Sequence, residues 1–150
     1  MDSDIILLNR IYHNSINAIN AISVLLKKTE SEALFDCLFA EMAGYREIAN
    51  KATSLLKGRS SKPTSANFFD RFSFFVGIRV ASGNRTSNER IAKLLINGSL
   101  EGIYDISDFV NSCISAHKES RELAYSLIEA EQKNICNMQK ILENLPSLVD

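Results

Sequence analysis

Apolar residues recur three and four positions apart along most of the chain, the spacing that one face of an α-helix produces. Leu8, Ile11 and Ile22 share such a stripe in the first segment, with asparagines on the opposite side. Three later segments repeat the pattern. The spacing therefore predicts an all-α fold with four long amphipathic helices, over residues 4–27, 31–57, 87–116 and 118–145.

Residues that cap or stop helices stand near the ends of these segments. Ser31 suits the N-cap of the second helix, and Gly58 suits its C-terminal stop. Thr86 and Glu89 have the spacing of a capping box that begins the third helix. Pro146 is expected to terminate the fourth.

The connections between the helices differ in length. The first turn is short, so helices one and two should pack antiparallel. Residues 58–85 instead form a long connection, polar at first and then apolar enough for a short helix over about 68–82. Such a crossover lets helices two and three run parallel, as in ferritin-like bundles. We therefore expect one domain over 1–150, a ferritin-like up-down four-helix bundle.

Composition fits one soluble globular domain. Of the 150 residues, 45% are hydrophobic and 23% charged, and the net charge of -1 gives no global attraction to nucleic acid or anionic membranes. The acidic start Met1–Asp4 and the short apolar run Ile5–Leu8 do not resemble a secretory signal, which predicts a cytoplasmic protein. The cysteines are far apart, without a metal-binding pair, and are expected to be reduced: Cys37, Cys113 and Cys136.

A di-metal carboxylate site in a bundle needs glutamates from two helices and a Glu-x-x-His motif from each of the other two. Neither histidine satisfies this, because Arg10 stands three residues before His13 and Ile114 three before His117. We expect both histidines at the surface. No catalytic motif is apparent either, so the sequence predicts no catalytic residues, no metal and no cofactor.

Several polar residues lie on or beside the apolar stripes. They have two interpretations: a degenerate metal or small-ligand site, or a hydrogen-bonded polar layer that fixes how the helices align. The second is favoured, because asparagine is a poor ligand for transition metals. The candidate ligand-binding residues are Glu41, Tyr45, Asp105, Glu131 and Asn134.

Two glycines, Gly98 and Gly102, lie four residues apart on the inward face of the third helix. Each costs about 1 kcal/mol relative to alanine inside a helix, so a packing advantage should offset the loss. We expect close approach of another helix or of a bulky side chain such as Tyr45.

The segment 57–93 is strongly basic, with eight Lys and Arg against two acidic residues. Its phenylalanines give the predicted short helix apolar side chains on two faces, more than one bundle can cover. A homodimer interface is the favoured interpretation, followed by an anionic partner or membrane surface, with nucleic acid the least favoured. The expected interface residues are Phe68, Phe72, Phe74, Phe75 and Ile78.

The whole chain resembles an uncharacterised bacterial family of ferritin-like four-helix proteins, common in anaerobic spore-formers. The most specific part is Gly98-Ser-Leu-Glu-Gly102-Ile, supported by Tyr45-x-x-Ile48 and Glu131-Gln-x-Asn134-Ile. Asn84-Arg85 departs from the pattern and marks a divergent member. The resemblance implies a bundle in the bacterial cytoplasm and no assigned activity. We therefore expect an interaction or assembly module rather than an enzyme, with a ligand-binding or metal-binding bundle as the alternative.

Overall fold

The computed structural model describes residues 2–64 and 87–144, and these form four α-helices without any strand. The four-helix prediction is confirmed, with ends within a few residues of those expected. The predicted crossover helix over 68–82 and the interface residues within it lie outside the described ranges. The helices are α1 Ser3–Leu26, α2 Glu32–Gly58, α3 Asn88–Ser112 and α4 Lys118–Glu143.

The helices form two hairpins, α1 with α2 and α3 with α4, and the largest contact between the hairpins is that of α2 with α4. At one end of the bundle, Thr29 after α1 donates a hydrogen bond of 3.1 Å to Asn88 at the start of α3. At the other end, Arg59 after α2 donates one of 2.8 Å to His117 before α4. Helix α2 therefore ends where α4 begins, and α2 and α3 run parallel, as predicted.

Local capping explains where α2 and α3 begin. Ser31 is the N-cap of α2, as expected, and accepts a hydrogen bond of 3.2 Å from the Leu34 N–H. The cap of α3 is Ser87, not Thr86, and Ser87 accepts from the Arg90 N–H at 3.2 Å. The capping-box prediction was therefore one residue early at this helix.

Helix α3 also ends earlier than predicted, at Ser112 instead of near residue 116. The guanidinium of Arg121 on α4 donates to the carbonyls of Val110 and Cys113, at 3.0 and 3.2 Å. These bonds satisfy carbonyl groups that the helix leaves without partners at its end. The tight turn that starts α4 can therefore begin at Cys113.

One continuous core fills the space between the helices, and all four helices contribute to it. Removing such side chains from water stabilises the fold by about 25 cal/mol per Å² of apolar surface. Within the described ranges, every helix is too polar or too short in its apolar stretches to cross a membrane. The largest fully buried side chains are Leu7, Leu8, Ile11, Ile22, Leu25, Leu34, Leu38, Leu56, Ile91, Ile106, Leu127 and Met138.

A buried carboxylate joins three helices at the end of the bundle where α1 and α4 begin. Asp4, only 1% exposed, accepts hydrogen bonds from the Arg59 Nε–H and, at 3.0 Å, from the His117 N–H. Burial alone raises its pKa, but the neighbouring Ser120 hydroxyl, the His117 amide and the Arg59 guanidinium outweigh burial and lower the pKa. Asp4 is therefore a charged group that ties α1 to α2 and α4.

His13 is buried, which corrects the prediction of a surface histidine. Its ring does face away from the main stripe of α1, but the chain after α2 folds over it. A hydrogen bond of 2.9 Å joins His13 Nε2 and Thr64 Oγ1, and the Thr64 N–H donates to Asn9 Oδ1 at 2.9 Å. Burial, and then the charge of Arg10, lower the pKa of His13. His117, by contrast, is exposed, as predicted.

Candidate functional site

A chain of hydrogen bonds crosses the core between α2 and α4. The Tyr45 hydroxyl donates a bond of 2.6 Å to Glu131 Oε2, and Asn134 Nδ2 donates one of 3.0 Å to the Tyr45 oxygen. Glu41 lies one helical turn before Tyr45, and all four side chains are buried. The structure thus brings together four of the five predicted ligand-binding residues. We call Glu41, Tyr45, Glu131 and Asn134 the polar layer.

The two carboxyl groups of the polar layer hold their protons unusually firmly. Burial, and then the charge of Glu131, raise the pKa of Glu41 to about 8. Burial raises the pKa of Glu131 to about 7, although the adjacent Ser99 and Tyr45 hydroxyls act in the opposite direction. A like-charged neighbour in a low-dielectric interior disfavours ionisation of both groups. Near neutral pH the layer therefore retains at least part of its proton complement.

Cys37 extends the polar layer by one helical turn along α2. Its thiol donates to Glu41 Oε1 at 3.8 Å, a weak bond of the kind that sulfur makes. Burial and the Glu41 carboxyl raise the pKa of Cys37 to about 11. The thiol is therefore protonated at neutral pH and a poor nucleophile.

Gly102 makes room for the polar layer on α3. A Cβ at this position would lie 2.9 Å from Glu131 Oε1 and 3.3 Å from Glu131 Cδ. The predicted close approach at Gly102 therefore exists, but the side chain that fills the space is Glu131 and not Tyr45. Ser99, three residues earlier on the same face of α3, is also buried. Gly98 is half-buried, and its part in close packing stays a prediction.

Gly102→Leu is expected to lower the free energy of unfolding by about 1 to 3 kcal/mol, because the Glu131 carboxyl occupies the space that leucine needs. The matched control is Gly44→Leu on α2, where no atom lies within 4 Å of the position of a Cβ. That variant should be neutral or gain up to about 1 kcal/mol from helix propensity. Urea unfolding of both variants checks the difference, and equal stabilities would contradict the packing described for Gly102.

Asp105 does not join the polar layer, which corrects the prediction that placed it with the other four residues. It lies half-buried at the contact of α1 and α3, where Arg10 donates two hydrogen bonds to its carboxylate, at 2.7 and 2.6 Å. Asn14 donates a third at 2.6 Å. The Arg10 guanidinium also stacks over Phe109, 4.6 Å from the ring centroid. Asp105 therefore serves the docking of the two hairpins.

The polar layer does not match the donor set of a di-metal site. It offers two carboxyls, one phenol and one amide, whereas such a site takes four carboxylates and two imidazoles. Glu131 Oε2 is engaged by Tyr45, and Oε1 is packed against α3 at Gly102. In the ranges 2–64 and 87–144, no three His, Cys, Asp or Glu side chains are grouped as metal ligands would be.

Two contributors to this site were missed from the sequence. Ser99 shares the inward face of α3 with Gly102, so helical spacing alone could have identified it. Cys37 was expected only to be a reduced thiol, and its position one turn before Glu41 was the available signal. Asp4 gave no comparable signal, because an acid in a first helical turn is ordinarily exposed.

Comparison with solved structures shows which fold this is. The chain superposes on a DUF305 fragment from Deinococcus radiodurans with a TM-score of 0.70 and 12% identity, covering 97% of this chain and 98% of that one. It also superposes on Dps from Thermosynechococcus elongatus with a TM-score of 0.68 and 12% identity, covering 97% and 94% of the two chains. No protein-family profile and no curated protein matches the sequence. The ferritin-like four-helix fold predicted from the sequence is thereby confirmed.

Proposed function

We propose that this protein is a non-catalytic interaction or assembly module, a ferritin-like bundle whose interior carries a hydrogen-bonded polar layer in place of a di-metal site. The observation that carries the proposal is the Asn134–Tyr45–Glu131 chain of hydrogen bonds, which occupies the carboxylate and phenol groups within the protein. Groups already satisfied in this way fix the relative positions of α2 and α4. They are poorly placed to bind a metal as well.

The interaction role rests on surfaces rather than on the core. The basic segment 57–93 gives the chain a local positive charge that its overall charge of -1 does not suggest. We propose that this segment contacts an anionic partner, a membrane surface or a second copy of the chain, through the phenylalanines between Phe68 and Phe75. We place the protein in the bacterial cytoplasm, as a divergent member of the ferritin-like family that its sequence resembles.

Metal analysis of the purified protein tests this proposal. Protein prepared without chelators is expected to contain no stoichiometric iron, manganese or zinc, and adding each metal should leave its thermal stability unchanged. Glu41→Gln and the control Glu47→Gln, whose side chain is 69% exposed on the same helix, should behave alike. Stoichiometric metal that is lost in Glu41→Gln and kept in Glu47→Gln would contradict the proposal.

That contrary result would instead support the second candidate function, a bundle that binds a small ligand or a metal ion in its core. One observation favours it: among the described residues Glu41 has only the weak hydrogen bond from the Cys37 thiol, so its carboxyl is less fully engaged than that of Glu131. A bound cation would lower the pKa of both carboxyls and displace their protons. Proton release on metal addition is therefore the accompanying measurement.

A further inference from the structure

The outer face of α2 carries two exposed aromatic side chains. Phe35 and Phe39 are 42% and 54% exposed, and their rings stack with centroids 6.3 Å apart and an angle of 13° between the planes. One turn further along the helix, Ala43 is exposed and presents almost no side chain. The face therefore presents two aromatic side chains next to a small one, and all three residues are exposed.

Two charged residues flank this pair on the same stripe. Asp36 precedes Phe39 by three positions, and Arg46 follows Ala43 by three, so all four residues share one side of α2. Both charges are exposed, and neither forms an ion pair within the described ranges. The order along the stripe is acid, aromatic, small residue, base. A second copy of this stripe running in the opposite direction would therefore place base against acid and the small residue against the aromatic one.

We propose that this face is a self-association surface on which the α2 helices of two copies pack antiparallel about a two-fold axis at the level of residue 41. In that register Phe39 of each copy lies on Ala43 of the second copy, and Asp36 of each lies opposite Arg46 of the second. A two-fold contact requires a self-complementary patch of this kind. The inference rests on the proposed assembly role and names a second copy as its partner.

The charges near the two phenylalanines argue against a membrane as the partner of this surface. Glu32 and Asp36 are exposed beside the two phenylalanines, and Arg46 is the one basic residue of the stripe, so the face lacks the basic surroundings that favour an anionic membrane. One pair of helices buries a modest area, at the low end for specific interfaces. The dimer should therefore be weak and depend on concentration.

Charge exchange between copies tests the register. Asp36→Arg places arginines opposite each other in the homodimer, and Arg46→Asp places aspartates opposite each other, so each variant alone should dimerise about tenfold more weakly than the wild type. Mixed together, the two variants restore both opposite-charge pairs, and a heterodimer of near wild-type affinity should form. Sedimentation velocity over a concentration series measures all three. Asp108→Arg on α3 is the control and should match the wild type, because α3 lies diagonally across the bundle.

Three results would overturn this surface: a wild type that stays monomeric throughout the series, single variants that dimerise like the wild type, or a mixture no tighter than its components. A dimer lost in Phe74→Asp but kept in both charge variants would place the contact in the phenylalanine-rich segment instead. These outcomes are separable from the test of the proposed function, which measures the metal content of the core and not the dimer.

Discussion

Asp4→Ala is expected to lower the free energy of unfolding by about 3 kcal/mol, one of the two largest effects predicted for this protein. Breaking a buried ion pair leaves the remaining charge without compensation, and such changes commonly cost about 3 to 5 kcal/mol. We take the lower figure because the Arg59 side chain is 16% exposed and also donates to the Leu55 carbonyl at 3.0 Å. The substitution also removes the acceptor for the His117 N–H at the start of α4.

Graded variants separate the charge of Asp4 from its hydrogen bonds. Asp4→Asn keeps an acceptor but loses the charge, and should cost about 1 to 2 kcal/mol. The exposed control Asp108→Ala should stay within about 0.5 kcal/mol of the wild type. Urea unfolding at neutral pH measures all three. A loss for Asp4→Ala no greater than that of the control would show that Asp4 does not hold the helices together.

Stability is also expected to fall as pH rises from about 4.5 to 8, because of Glu41 and Glu131. Both carboxyls have pKa values, about 8 and about 7, above their ordinary value of 4.5, so the folded state binds more protons than the unfolded chain in this range. Their stabilising contribution is complete below the pKa of the unfolded chain. It is lost as pH rises through the pKa values of the folded state. The slope is at most about 1.4 kcal/mol per pH unit for each retained proton.

Amide variants identify the source of this pH dependence. Glu41→Gln and Glu131→Gln should each flatten the plot of unfolding free energy against pH, and the double variant should flatten it most. Glu129→Gln, an exposed change on the same helix as Glu131, should leave the slope as it is. A wild type with constant stability over this range would contradict the raised pKa values.

Asp4 makes the stability depend on pH in the opposite direction, in the acidic range. Its pKa is lowered from 3.8, so its contribution is present above the unfolded value and is lost as pH falls through the folded one. Glu41 and Glu131 therefore lower the stability as pH rises, and Asp4 lowers it as pH falls. For these groups together, the protein is most stable at mildly acidic pH.

Much of the polar layer could be predicted because helical spacing determines which side of a helix a residue occupies. Glu41, Tyr45 and Asn134 interrupt apolar stripes, and an interruption at a regular position places a polar group in the core. Asp105 shows the limit of this reasoning. Asp105 lies at the edge of the apolar stripe of α3, and its side chain turns towards Arg10 of α1. Spacing within α3 does not reveal that partner.

His13 and Asp4 could not be placed from the sequence for a related reason. The pattern of α1 correctly turns His13 away from the main core, but Thr64, in the chain after α2, contacts its ring. Asp4 is buried where Arg59, just after α2, and His117, just before α4, both contact it. The burial of both residues depends on contacts between segments far apart in the chain. The periodicity of a single helix does not predict such contacts.

The contacts of Asp4 also bear on the order in which the molecule assembles. They join residues 55 and 113 positions apart, the first across the open end of the α1–α2 hairpin and the second between the two hairpins, whereas contacts near the turn of each hairpin close short loops. Closing a longer loop costs more chain entropy, and it delays a contact until nearby structure has shortened the effective path. We therefore expect the hairpins to form first, with Asp4 completing its contacts late in folding. In kinetic terms, this carboxylate would retard unfolding and contribute little to the folding rate.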